Sequence, residues 1–430
     1  MKKILLSTAA IATVAMAGGD IAPAMLPSEA KTGEALHNGI TIIKQKSPDF
    51  LLGKETHINM KFVPEDAPDM WFKAGVRIQG TMESKSTDYL DPTKIDTDLT
   101  DAYLRRVRLE IAAGFGKHTS FVMDIRNDKS NHGLDNDEGK FNVGDAYLKI
   151  KKPFGDSLVN FKLYRAKIDV SRTETVKSAR VINYDRPFVA DQAAQYISFN
   201  RRGANVQMYG NWKKKVHYQV AVGAATNPDK LIDATGKKGK SVDLSDQSFF
   251  YGGKVFFSPF DGWEETSRTE SYMGQGKHFE VGVSYWVVPT FAGTTGNGME
   301  FDLTRKLLNI EASGHYKGFF AQAEYFKFYD MVKKWEPTAN LETGTSDGWY
   351  ATAEYVFEDL NYIAPFVRYE EWDRWNDEEG YDVTSTTVGV NWYLRGNTTK
   401  VGFNYQKNEY GVHVGNKEED IFRITSQWFF

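Results

Sequence analysis

At 430 residues the chain has room for two or three domains or one large architecture, and its 53 basic and 57 acidic residues leave a net charge of −4, without the basic excess of a nucleic-acid binder. Zero cysteine excludes disulfides, thiolate metal sites, a cysteine nucleophile and covalent haem together. Thirteen prolines and 14% aromatics suit long uninterrupted strands better than a loop-rich enzyme.

Lys2 and Lys3 precede an apolar run over 4–17 that ends in Ala15-Met16-Ala17, which predicts a secretory signal peptide over 1–17. Its removal takes two lysines and leaves a net charge of −6. An N-terminal periplasmic segment is expected over 18–69. Beyond the leader there is no run of 18 apolar residues, so a helical span is absent from the sequence. Only helices and closed barrels satisfy every backbone polar group in lipid. An exported chain of this kind enters a membrane as a β-barrel, expected here over 70–430.

From residue 70 onward the apolar pattern has period 2. Phe72, Ala74, Val76 and Ile78 lie on one face of 70–83, and Lys73, Gly75, Arg77 and Gln79 on the other. In 101–113, Val107, Leu109 and Ile111 oppose Arg106, Arg108 and Glu110. The same alternation runs through 117–128, 141–151, 157–167, 203–211, 215–225 and 248–258. It continues in 277–288, 305–316, 318–330, 347–358, 361–372, 383–394, 398–409 and 419–430. A helix would scatter these residues around its cylinder, whereas a strand sorts them into two faces. The count is sixteen, and bacterial single-chain barrels are even-numbered.

Connections alternate as well. Tight turns at Gly114-Phe115-Gly116, Gly210-Asn211-Trp212-Lys213, Tyr316-Lys317-Gly318 and Arg395-Gly396-Asn397 are expected on the periplasmic rim. Long polar stretches over 84–100, 129–140, 168–202, 259–276, 289–304, 331–346 and 373–382 fit extracellular loops. Trp71, Trp212, Trp286, Trp349, Trp392 and Trp428 stand near segment ends, where an interfacial girdle sits. The last strand closes on Trp428-Phe429-Phe430, which resembles the assembly signal of outer-membrane barrels. A soluble β-sandwich accounts for this pattern less well, because its strands are shorter and its polar faces look outward.

Several strings, in order, resemble the phosphate-selective porin O/P family of Gram-negative bacteria. They are Phe72-Lys73-Ala74-Gly75-Val76-Arg77-Ile78-Gln79, Ala102-Tyr103-Leu104-Arg105-Arg106, Val159-Asn160-Phe161-Lys162-Leu163-Tyr164-Arg165, Ala321-Gln322-Ala323-Glu324-Tyr325 and Gly389-Val390-Asn391-Trp392-Tyr393. The resemblance runs from about residue 38 to 430. It implies a sixteen-stranded homotrimer in the outer membrane that passes anions such as phosphate, with no enzyme activity, no cofactor and no metal. Arg77, Arg105, Arg106 and Arg186 match its pore-lining arginines, and Lys73 shares the polar face of Arg77. At the family's binding lysine an ungapped match places Glu174, while a small shift places Lys177. The base-free stretch 289–304 stands where strongly phosphate-preferring members carry an arginine-rich loop. Together with the acidic net charge, that predicts a less selective pore, and Glu174 is expected to weaken phosphate discrimination.

Other chemistry is thinner. Gly236-Lys237-Lys238-Gly239-Lys240-Ser241 lacks the first glycine and the strand-to-helix frame of a phosphate loop. Asp135-Asn136-Asp137-Glu138 and the group Asp373, Asp377, Glu378 and Glu379 lack calcium-loop spacing. A barrel-embedded hydrolase would draw on His118 and Ser120, and a structural or adhesion barrel is the third reading. The expected function is a passive diffusion pore narrowed by the loop near 168–202.

Overall fold

The computed structural model describes residues 35–36, 40–44, 60–64, 67 and 69–429, except 131–139, 260–268, 274–276 and 338–339. The expected signal peptide, most of 18–69, the acidic run 135–138 and Phe430 therefore lie outside the described residues. Sixteen strands form the wall: β1 Met70–Tyr89, β2 Thr97–Phe115, β3 Thr119–Ser130, β4 Asn142–Ile150, β5 Asn160–Arg165, β6 Ala204–Trp212, β7 Val216–Gly223 and β8 Phe250–Phe257. The second half supplies β9 Lys277–Thr294, β10 Glu300–Tyr316, β11 Phe319–Val332, β12 Thr343–Tyr355, β13 Ile363–Asp373, β14 Asp382–Asn397, β15 Thr399–Tyr410 and β16 Lys417–Phe429. Each strand pairs antiparallel with the next, and β16 returns to β1 over Lys417↔Tyr89 to Phe429↔Arg77. The sheet is a closed sixteen-stranded barrel, as the alternation predicts. Met60–Pro64 adds to the start of β1, and Asp243–Gln247 extends the β8 edge along β9.

The burial pattern is that of a globular protein turned inside out. On β9, Val281, Val283 and Tyr285 are exposed while Glu280 and Ser284 are buried. On β1, Val76 and Met82 face outward and Arg77, Gln79 and Thr81 face inward. An exposed apolar belt of this kind is stable only against hydrocarbon. Short turns follow β2, β6, β10 and β14, and the left-handed backbone they need falls on Gly116 (φ +70°) and Gly396 (φ +58°) in two of them.

Some boundaries differ from the sequence reading. The stretch 289–304, read as a loop, is mostly strand, because β9 runs to Thr294 and β10 starts at Glu300. A bulge between Val288 and Phe291 absorbs one residue beside Pro289 and restores the pairing to Leu303. The bulge breaks period 2 in the sequence without ending the strand. β5 is shorter than read, because the chain leaves the wall after Arg165 and turns into the lumen.

That inward segment, 166–203, carries two helices, α1 Arg172–Thr175 and α2 Phe188–Ile197. Val189, Ala190, Ala193, Tyr196 and Ile197 pack with Ile168 and Val170 against Trp286, Phe291, Leu307, Phe326, Phe328 and Trp372 of the wall. Wall carboxylates receive its amide groups: Arg172 N donates to Glu311 Oε2 (2.7 Å), Thr173 N to Glu324 Oε1 (2.9 Å) and Phe188 N to Glu370 Oε2 (2.5 Å). Wall donors take its carbonyls in turn: Gln79 bonds Ser178 O (3.1 Å), Gln427 bonds Ala179 O (2.9 Å), Asn391 bonds Ile182 O (3.1 Å) and Arg368 bonds Asp185 O (2.7 Å). The segment is thus pinned to β1, β10, β11, β13, β14 and β16.

Charged acceptors of backbone N–H groups are worth about 1.5–3 kcal/mol each. Removing both Glu311 and Glu324 as alanines is therefore expected to loosen the segment and raise single-channel conductance and open-channel noise in planar bilayers.

Candidate functional site

With one side of the barrel occupied, the remaining lumen is a cavity of about 1590 Å³ between the inward segment and the β1–β5 wall. Lys73, Arg77, Arg105, Arg106, Lys177 and Arg186, the six residues singled out from sequence, all line it. Arg77 Nη2 bonds Glu110 Oε1 at 2.5 Å, and Lys177 Nζ reaches Glu110 Oε2 at 3.1 Å from the other bank. Arg106 Nη1 donates to Gln79 Oε1 (2.8 Å) and Nη2 to the Tyr184 carbonyl (3.1 Å). Arg105 holds Asp185 of the inward segment at 2.7 Å.

Strict alternation puts Arg105 and Arg106 on opposite faces of β2. Both reach the lumen because the β1–β2 ladder slips there: Gln79 pairs with Arg106 and Gly80 with Leu104, leaving Arg105 as the extra residue of a bulge. A bulge re-aims a side chain in this way. The pair is therefore a backbone device as well as a sequence string.

Glu174 sits differently from the expectation that it weakens an anion site. Its carboxylate is 1% exposed and is enclosed by Arg201, Lys167 (3.0 Å) and Arg186 (3.8 Å). Burial alone raises its pKa, but these three cations more than offset that and hold it well below the usual carboxylate range. Its charge is spent inside the segment. Lys177, three residues further on and past the end of α1, is 57% exposed and lies at the cavity. Asp185 is likewise held below the ordinary range: burial opposes, while Arg105 and Arg423 prevail.

Sequence reasoning left out Lys167, Arg108, Arg126, Arg165, Arg201 and Arg202, which also line the cavity. Arg108 and Arg126 carried a usable signal, since both fall on the polar faces of their strands. Arg201 and Arg202 did not, because they close a segment with no periodicity. Arg108 bonds Asp128 at 2.9 Å, Arg202 bonds Asp145 at 2.7 Å, and Arg201 bonds Asp191 at 2.5 Å. His118 lies in the β2–β3 turn with Nδ1 2.8 Å from the Lys151 carbonyl, and no acid is bonded to it among the described residues. In the 236–241 loop, the amide of Lys237 donates to Asp233 rather than facing an open cradle.

The depressed pKa of Glu174 sets a sign. Its contribution to stability is fully present above the ordinary glutamate value of 4.5 and fades as pH falls through the lower folded-state value. Glu174→Gln is expected to cost about 3 kcal/mol at pH 7 by stranding buried cations. In thermal unfolding of the detergent-solubilised barrel, that deficit should hold constant down to pH 4.5 and shrink below it.

The chain matches phosphate-selective porin O and P over residues 76–427. An uncharacterized protein of Aquifex aeolicus is 25% identical over 427 residues, covering 90% of this chain and 94% of that protein. Among solved structures, an anion-selective porin from Comamonas acidovorans covers 84% of this chain and 100% of its own, at 10% identity and a TM-score of 0.55. The outer membrane channel DcaP of Acinetobacter baumannii covers 84% and 97%, at 11% identity and a TM-score of 0.56. These two likenesses concern the fold, and they repeat its closed barrel. The match across nearly the whole barrel, on a lumen left open along one wall, means that the chain belongs to the phosphate-selective porin O and P family and is an outer-membrane channel.

Proposed function

We propose that the pore passes small anions in preference to cations, with its waist formed by the inward segment against β1–β5. One observation carries this reading: the cavity is lined by sixteen lysines and arginines and only five aspartates and glutamates, in a chain whose net charge is −4. Fixed charge of one sign in a narrow, low-dielectric channel raises the local concentration of the opposite ion. Guanidinium forks match the planar oxygen pairs of phosphate and carboxylate and stay charged throughout the physiological range. Their existing carboxylate partners keep each contact weak enough for an ion to leave, as conduction requires. Phosphate is a suitable cargo on this view, since Glu174 is buried and Lys177 supplies the exposed charge. The Comamonas neighbour, an anion-selective porin, is consistent with the reading.

Assembly as a homotrimer also belongs to the proposal. A spanning strand needs about 9–11 residues, but β5 has 6 and β7 and β8 have 8 each. That low stretch of wall is covered best by another copy of the chain. The leader over 1–17 is removed on export.

In a tenfold KCl gradient, the reversal potential should report chloride permeating several-fold faster than potassium. Lys177→Glu should lower that ratio by about threefold or more, because it reverses a charge facing a narrow lumen. Ile78→Thr, on the lipid face of β1, should leave it unchanged. A cation-preferring wild type would overturn the reading.

A further inference from the structure

The turns of the periplasmic rim carry lysines where the backbone geometry favours glycine. In the β6–β7 turn the Lys215 amide donates to the Trp212 carbonyl at 3.0 Å, and the two central residues, Lys213 (φ +51°) and Lys214 (φ +57°), are both left-handed. A two-residue hairpin turn of this hand prefers Asn-Gly, because a Cβ is strained at positive φ. Lys152 in the β4–β5 turn (φ +51°) and Lys317 in the β10–β11 turn (φ +52°) repeat the choice. Gly318 stands beside Lys317, yet the left-handed position falls on the lysine. Strain kept at exposed positions points to a use for the side chains.

Their surroundings narrow that use. All four lysines are exposed, and none lines the lumen cavity. None has a carboxylate partner among the described residues. The extracellular end differs: Lys333 is paired with Glu342 and Glu378 (3.0 and 2.7 Å), and Lys407 with Glu409 and Glu418 (2.8 and 3.0 Å). Lys213 Nζ lies 4.8 Å from the centre of the Trp212 ring, and Lys317 Nζ 5.4 Å from that of Tyr316. Both rings are exposed on the outer face of the barrel, where aromatic residues form the interfacial girdle. An ammonium held over a girdle ring sits at headgroup depth, outside the barrel mouth.

We propose that the β4–β5, β6–β7 and β10–β11 turns form a binding surface for anionic phospholipid headgroups of the periplasmic leaflet. The surface is independent of the pore's own selectivity. Lysines at headgroup depth are attracted to an anionic leaflet, each adding to the others. With no carboxylate of the chain beside them, they leave that charge to the lipid. In the trimer proposed above, copies meeting on the low β5–β8 wall bring their β6–β7 turns together. A headgroup between those turns also screens the lysines from one another.

The test reconstitutes the full-length porin in vesicles of mixed phosphatidylethanolamine and phosphatidylglycerol at low salt. Lipid retained through gentle detergent extraction is then quantified by mass spectrometry. Wild type should hold phosphatidylglycerol enriched about fivefold or more over the bulk bilayer. Extraction in about 1 M salt should abolish the enrichment. K213N/K214G, which installs the favoured turn pair, and K317N, away from the seam between copies, should each lower it, and the triple variant should bring it close to the bulk ratio. In phosphatidylcholine vesicles the triple variant should melt no lower than wild type, because its turns are relieved of strain. Its conductance and reversal potential in planar bilayers should match wild type. A wild type without enrichment, or a folded triple variant that keeps it, overturns the surface. So does a triple variant that melts lower in phosphatidylcholine, which makes the lysines turn-forming residues, or one with altered ion selectivity, which makes them charges of the pore mouth.

Discussion

Hydrocarbon offers no hydrogen-bond partner, and the architecture follows from that constraint. Every N–H and C=O at membrane depth must be satisfied inside the protein, so β16 pairs with β1 and the sheet has no edge. Closure then reverses the usual sorting of side chains. The outer face must be apolar, and polar residues collect inside, where they are buried against one another rather than against water.

An interior of this size has to be filled or left wet, and this chain does both. The inward segment takes one side with a conventional apolar core built around Trp286, Phe291 and Phe328. Its backbone amides would be stranded there, and Glu311, Glu324 and Glu370 accept from them. These same bonds draw the segment toward β10, β11 and β13 and leave the cavity on the β1–β5 side. The wet channel is therefore defined by what the dry half retains, and a change in the latch alters the pore without touching a pore residue.

The barrel was legible in the sequence because lipid imposes period 2 on every strand independently. Sixteen local patterns suffice to read it. Legibility ended where the structure depends on distant partners. Glu311, Glu324 and Glu370 stand 139, 151 and 182 residues from the amides they bind, and nothing local marks them as latches rather than lumen charges. Bulges were a second blind spot. The one at Arg105 turns two adjacent arginines inward, and the one beside Pro289 breaks the alternation in a strand that runs on to Thr294 through what reads as a loop. The six residues chosen as pore-lining all reach the cavity, yet the choice overlooked Arg201 and Arg202, which reach it from a segment without periodicity.

Net charge proved a poor guide to the lumen for a related reason. The chain is acidic overall, but its acids and bases are segregated. Asp88, Asp96 and Asp98 are exposed around the β1–β2 loop, while Arg106 and Arg108 lie deep on β2. Asp98 is eight positions from Arg106 along that strand, or about 26 Å at roughly 3.3 Å per residue. The Debye length at physiological salt is about 8 Å, so the rim carboxylates are screened by some three decay lengths before their field reaches the waist. A permeating ion at the waist responds to the charges within one such length of it. There the balance is set by guanidinium groups, by the carboxylates bound to them, and by how many N–H donors those carboxylates leave unspent.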